Sequence, residues 1–600
     1  MAAKPQRDVG RSFRMPRSRS SCRRVSVWVA PAIIALSAVA YLLTAARSVL
    51  GGDNGEFATL YGCGGVAHPT GYPLYVLYLR SLSWLPATSP AHGAALATAL
   101  LGGATTAVLY LACRAFGASR GSAAVVIATH AFSAPMWIAS THAEVFALNA
   151  LLGAAILLAA GTDRLTGASR AMTLAALAGL GLSNHVSIVL LAPIGIYGLV
   201  RGVREATARA RTFGLCAVAL VFALSPYVYV VLASRTPADR FVWGAASDFQ
   251  GLLHHMLRVD YGTTTLALGA HRSDRLGQEL LLVRSLVVGL LGLPLVAIAS
   301  PLLVHARFDS STRTRTLSLL ASFALTGPIF VALFNLSISG LDRRIVERFH
   351  LLPQVVACVV IAPAIDRVLS RWLARTVVAT ALAIACGAGA AGLSLEEVRV
   401  HHLPDVERYV RDTLERAPPH AIVLGTGDHR FGAFNYARRA LHLREDVLYI
   451  DAYLTLTSWY RAQVGREVGI ELVAPQGGSM STKALASQLM STGRPLLLAV
   501  VFTEAIPRAF PTYPIGTLYR VVGSPAEVPD PATLERMNRE VFAHMHPSAV
   551  PPPADSWGAD LWPAYARPWF ALADAFREQG DQAHAQELDA IGRSFSVAPP

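Results

Sequence analysis

The sequence predicts an α-helical polytopic membrane protein with a water-soluble α/β domain toward its C-terminal end. Three observations lead there. Of 600 residues, 53% are hydrophobic and only 15% charged, which is not the balance of an ordinary soluble chain. The apolar residues gather in runs long enough to cross a bilayer. From about Leu395 that pattern gives way to short strand-like and amphipathic segments. The net charge of +13 lies at the N-terminus and in short gaps between apolar runs. That distribution belongs to membrane topology and speaks against nucleic acid as a partner.

Residues 1–26 form a basic arm in which Asp8 is the single acid. The apolar run from Val27 to Ala46 is about as long as a spanning helix needs and lacks an A-x-A cleavage site, so it is expected to stay as a signal anchor. Further runs follow at 91–113, 121–139, 144–160, 171–183, 186–200, 212–233, 281–304, 316–337, 351–366 and 376–393. With the first, these make eleven crossings. A single kinked helix around Asn184 and His185 is the alternative, and it would change the parity. Charge bias tests it: with the N-terminus inside, the inner connections hold 22 Lys and Arg in 74 residues and the outer ones 10 in 110. This supports eleven crossings, a cytoplasmic N-terminus, and a C-terminal domain on the outer, periplasmic face of the cell's inner membrane. The six cysteines make no disulfide pattern, and none lies beyond Cys386.

The first outer loop, 47–90, carries GGDNGEFATLYGCGGVAHPTGYPLY over residues 51–75. Asp53 and Glu56 stand within one helical turn, and His68 follows in a turn rich in Gly and Pro. Two carboxylates where a membrane helix meets water are costly unless they have a function. Helix capping by Asp53 or Asn54, with Glu56 in the first turn, is the plain alternative. In function, one carboxylate would take the proton of an attacking hydroxyl. Tyr72 to Leu85 then mixes aromatic and apolar residues, as a helix lying in the interface does.

Other outer stretches offer partners for that loop. THAEVFALN, 141–149, brings Glu144 and Asn149, although Thr141 and Glu144 also fit a capping box. Asn184 and His185 sit between two short apolar runs, where they either satisfy a broken helix or reach the same cavity. The loop 234–280 carries Trp243, Asp248, His254, His255, Arg258, Asp260 and Tyr261. SGLDRRIVERFH carries Arg343, Arg344, Arg348 and His350 on the side where basic residues are disfavoured, which makes it a candidate site for an anionic headgroup.

After Leu395, AIVLGTGDHRFGAFNYARRALHLREDVLYID reads as strand, loop, helix and strand, with RPLLLAVVF and GTLYRVV as further strands. The expected division is a transmembrane domain over 27–393, a soluble α/β domain over 394–530 and a helical region over 531–600. The last of these has the texture of one tetratricopeptide-like hairpin, which must pack on its neighbour to bury its apolar face.

Taken together, DNGEF, GVAHPTGYPLY, WIASTHAEVFALN and GLSNHVSIVLLAP resemble, in order and spacing, the bacterial domain-of-unknown-function family that includes the eukaryotic transmembrane protein O-mannosyltransferase. GDHRFGAFNYARRALHLREDVLYIDAYLTLTSWY resembles that family's soluble part. The resemblance implies a GT-C-type glycosyltransferase that inverts the anomeric centre. Sugar, mannose by analogy, would pass from a polyprenyl-phosphate donor to protein Ser/Thr hydroxyls at the outer face. It implies Asp53 as general base, Glu56 beside it for acceptor or metal contacts, and His68 and Arg348 at the donor phosphate. Tyr72, Glu144, Asn149, Asn184, His185 and His350 are the remaining candidates for substrate contact. A cell-envelope glycan or a lipid as acceptor stays open, as does a lipid-linked sugar transporter. No Asp-x-Asp motif marks a metal site; Mg²⁺ or Mn²⁺ held with phosphate, and no metal at all, both fit two carboxylates. Thr70 stands where the family more often has a second proline.

Overall fold

The computed structural model describes residues 22–236, 240–262, 274–299, 310–334, 336–373, 375–473, 482–499 and 506–595. The basic arm expected over 1–26 lies outside them up to residue 21. Each apolar run is helical over its described part: Cys22–Leu43, Pro90–Ala115, Phe146–Gly161, Gly167–Leu182, Leu351–Leu373 and Thr376–His401 are continuous. The others are broken, two of them at a proline.

The single crossing expected over 121–139 is two helices, Arg120–Ala131 and Ala134–Thr141, bent by 62°. Pro135 opens the second helix, where its missing N–H costs nothing but ends the hydrogen-bond ladder of the first. Pro226 likewise separates Arg209–Ala223 from Pro226–Arg235. The run from 186 begins as a 3-10 turn, Val186–Leu191, before Ala192–Glu205. The run expected over 281–304 is Arg275–Val287 and Leu293–Ala299, and its end lies outside the described residues. By length and apolarity, five helices among the described residues are long enough to cross a membrane, six if the bent pair counts as one.

Beyond the last long helix lies a five-stranded sheet in the order Leu448–Asp451, Ile422–Gly425, Leu496–Leu498, Leu518–Val521, Thr512–Ile515. The first three strands are parallel and the last two antiparallel. The parallel strands IVLG, LYID and LLL are buried along their whole length, as strands covered on both faces must be. The Asp428–Arg439 helix makes the crossover between the first two in sequence. Pro563–Glu578 and Gln582–Ser594 pack on one another around Trp569, Leu572 and Leu588.

The C-terminal α/β domain is seated directly on the loop that carries Asp53 and Glu56. Gly55, in the Asn54–Cys63 helix, lies so close to Gly432 that a Cβ on it would stand 2.6 Å from the Gly432 carbonyl carbon. Two glycines let these backbones touch. Gly55→Ala is therefore expected to wedge the helices apart at a cost of about 1–3 kcal/mol, read as a lower melting temperature in detergent together with faster proteolysis of residues beyond 400. An unchanged melting temperature would mean that the contact carries no stability.

Candidate active site

The loop after the Asn54–Cys63 helix is held by a short parallel pair, Gly65–Val66 against Phe241–Val242. Gly65 has φ +133 and a Cβ there would sit 1.7 Å from the Phe241 carbonyl oxygen, so only glycine permits the pairing. Buried His255 adds a hydrogen bond from Nε2 to the Ala67 carbonyl at 3.0 Å. The 240–262 loop thus fixes the path of the chain into His68.

Glu56 spends both carboxylate oxygens on His68. Oε1 accepts the His68 backbone N–H at 2.6 Å, and Oε2 meets Nδ1 at 2.8 Å. On the other side of the ring, Nε2 lies 3.0 Å from the Tyr72 hydroxyl, which donates to the Pro69 carbonyl at 3.3 Å. That hydroxyl therefore accepts from Nε2, and a proton on both nitrogens satisfies every partner. Burial alone would lower the imidazole; the Glu56 and Asp53 carboxylates outweigh it and raise His68 to about 9. A histidine raised above its unfolded value near 6.5 adds stability that is complete below that pH and is lost as pH climbs through about 9. Thermal stability of the wild type is thus expected to fall between pH 6.5 and 9, and His68→Gln to flatten that slope. Equal slopes in the two proteins would contradict a charged His68.

Asp53 immediately precedes the helix, but its side chain makes no capping bond. Asn54 Oδ1 instead takes the Leu50 N–H at 2.8 Å. Asp53 Oδ2 accepts from Arg348 Nη1 at 2.9 Å, and the same nitrogen donates to Glu144 Oε1 at 2.8 Å. Burial works against the Asp53 charge, yet Arg348 and then His68 hold the carboxyl below its ordinary value. Glu144 is free for this role because the capping box does not form: the Thr141 hydroxyl turns back to the Trp137 carbonyl at 2.8 Å. The Arg348 guanidinium also lies over the Phe146 ring, 5.5 Å from its centroid.

The structure brings most of the expected residues to this centre. His185 stacks on Tyr72 at 5.8 Å and 11°, while its Nδ1 accepts the Ser187 N–H at 3.1 Å, so it both caps the helix break and faces the cluster. Asn149 Nδ2 donates to Ser187 Oγ at 3.0 Å, and Asn184 Nδ2 to the Val145 carbonyl at 3.3 Å. Those two support the wall. His350 stands apart, buried, with neither ring nitrogen bonded to a protein group. One atom each from Asp53, Glu56 and His68 come within 4.8 Å of one another, a spacing that fits a divalent cation; in this arrangement Glu56 and His68 serve one another and Asp53 serves Arg348.

Two residues at the centre were not assigned a role from sequence. Arg258 adopts φ +54 in the 240–262 loop, within electrostatic reach of Tyr72 and His185, and has no ion pair among the described residues. Its signal was a basic residue in an outer loop. Asp428 comes from the C-terminal α/β domain and acts on the charges of Asp53 and His68. Its signal was an acid inside a motif that otherwise looked structural.

Beneath Arg348 opens a cavity of about 240 Å³. Ile138, Val288 and Leu393 give it apolar walls, with Arg284, Arg343, Arg344 and Arg348 around them and Glu144, Glu347 and Glu397 interspersed. Arg343 is held by Glu347, Nε to Oε1 at 2.8 Å. Among the described residues Arg348 Nη2 has no hydrogen-bond partner, and neither has the buried Glu144 Oε2.

Comparison with known proteins fits this geometry. The sequence profile described as Protein O-mannosyl-transferase TMEM260 N-terminal domain matches residues 53–207, the stretch that holds Asp53, Glu56, His68 and Glu144. Residues 53–207 are thus similar to that family's N-terminal domain. The chain is 28% identical over 470 residues to Protein O-mannosyl-transferase TMEM260 of Mus musculus, covering 75% of this chain and 65% of the mouse protein. It is 23% identical over 342 residues to the protein of the same description in Dictyostelium discoideum, covering 53% of this chain and 42% of that one. The chain thus spans less than two thirds of these relatives. Among solved structures, apo ArnT from Cupriavidus metallidurans superposes with a TM-score of 0.51 at 16% identity, over 83% of this chain and 98% of that one. The likeness is one of fold, and it extends over most of this chain.

Proposed function

We propose that this chain is a GT-C-type glycosyltransferase of the membrane. It moves a sugar, mannose by the description of its relatives, from a polyprenyl-phosphate donor to protein Ser/Thr hydroxyls at the outer face. The observation that carries this is Arg348, which stands between an apolar cavity and the Asp53 carboxylate with Nη2 unused. A prenyl chain along the cavity would bring its phosphate to Arg348, with Arg258 and Arg284, neither ion-paired among the described residues, as further cations. The sugar then lies before Asp53.

In this scheme the acceptor oxygen attacks the anomeric carbon. The bond from that carbon to the phosphate oxygen breaks, and its electron pair leaves on the phosphate, where guanidinium groups balance the growing charge. Asp53 takes the hydroxyl proton through Oδ1, the oxygen that Arg348 does not hold, and no covalent intermediate forms. His68 acts from behind, as a cation fixed by Glu56 that helps keep Asp53 ionised. The assignment of Asn149 and Asn184 to supporting roles, through Ser187 and the Val145 carbonyl, and of His185 and Tyr72 to the substrate side, belongs to the same proposal.

Eleven crossings, a cytoplasmic N-terminus and an outer-face C-terminal domain in the inner membrane complete it, with domains over 27–393 and 394–530 and a tetratricopeptide-like region over 531–600. The test is transfer from radiolabelled polyprenyl-phosphate mannose to outer-face proteins by the purified chain in lipid. Label arriving on protein supports the reading. Label released to water alone, or moved only to glycan, argues for another acceptor.

A further inference from the structure

Asp428 opens the Asp428–Arg439 helix, whose Gly432 is pressed against Gly55. Residues four apart share a helix face, so Asp428 stands one turn from that contact, on the side facing the first outer loop. Its surroundings are tied down on both sides. Asp451 Oδ2 accepts the Gly427 N–H at 3.0 Å, and Oδ1 takes those of Tyr453 and Leu454 at 2.9 and 3.1 Å. Asp560 Oδ2 meets His429 Nε2 at 3.0 Å and Arg430 Nη2 at 2.8 Å.

Every neighbouring acid therefore has an internal partner, whereas Asp428 is exposed and has no hydrogen bond or ion pair among the described residues. Within the centre the contrast repeats: Glu56 is filled by His68, and Asp53 has one oxygen on Arg348. A carboxylate carried on a helix that is pressed against the Asp53 loop, with no cation assigned to it among the described residues, is poised for a donor that arrives from outside.

We propose that Asp428 is an acceptor-binding residue. It takes a hydrogen bond from an amide or cationic group adjoining the accepting hydroxyl, and so presents that hydroxyl to Asp53. The outer domain then completes the active site, and acceptors with a basic residue beside the hydroxyl are preferred over acidic ones. This rests on the transferase reading above, with Asp53 as base and the donor approaching from the membrane cavity.

The experiment uses the full chain in lipid vesicles, with labelled polyprenyl-phosphate mannose and two synthetic Ser/Thr peptides, one flanked by lysine and one by glutamate. Transfer to peptide and release of sugar to water are measured for wild type, Asp428→Asn and Asp428→Glu. Expected for Asp428→Asn is a KM for the lysine peptide raised about tenfold or more, with kcat and the release to water nearly unchanged and the preference between peptides lost. Asp428→Glu should recover part of that KM. Equal KM in wild type and Asp428→Asn would overturn the assignment, as would a parallel loss of transfer and water release, which marks a structural role. If wild type moves no sugar to either peptide or to water, the transferase reading falls, and this one with it.

Discussion

Asp53→Asn is expected to cut sugar transfer by about 10²–10⁴-fold, the usual worth of a positioned general base, while the protein still folds and binds donor. The amide is nearly isosteric and its oxygen still accepts from Arg348, so the pocket keeps its shape. What goes is the site for the acceptor's proton. Two measurements separate these effects. Donor retained on the purified variant reports the cavity, and single-turnover transfer reports the chemistry. Because Arg348 and His68 hold Asp53 ionised well below neutral pH, wild-type transfer should show no loss from this group down to the ordinary carboxylate range. Residual transfer within threefold of wild type would remove Asp53 from the reaction and turn attention to the other free carboxylate, Asp428.

Much of this centre was legible from the chain because its signals were local. Two acids, a histidine and a run of glycines between apolar segments marked residues 51–75, and basic residues on the wrong side of the membrane marked Arg348. What sequence left open were choices between a local and a long-range partner. Asp53 fitted a helix cap and Glu144 a capping box, and spacing cannot tell that both would turn away to share one arginine some 200 residues or more distant in sequence. Asp428 was hidden for the same reason. Its nearness to Asp53 depends on two glycines, Gly55 and Gly432, that meet only when the outer domain docks. The helix breaks were partly hidden too: Pro135 lies inside a run of spanning length, and hydropathy sees the run without the 62° bend.

Arg348→Ala should do more harm than the loss of a substrate contact, because Arg348 is also a structural counter-ion. Its Nη1 neutralises Asp53 and Glu144 together, and the Glu144 side chain is only 2% exposed. Removing one partner of a buried pair leaves an uncompensated charge and costs about 3–5 kcal/mol, so a marked fall in melting temperature is expected alongside the loss of transfer. The double variant Arg348→Ala, Glu144→Gln separates the two roles. Taking away the stranded carboxylate should return most of the lost stability, since what stayed buried and unpaid was its charge. Transfer and donor retention should stay lost, because no guanidinium remains between the cavity and Asp53 to hold a phosphate. If the double variant regains both stability and donor binding, Arg348 is a counter-ion only, and the phosphate must be held from the 240–262 loop, where Arg258 stands unpaired.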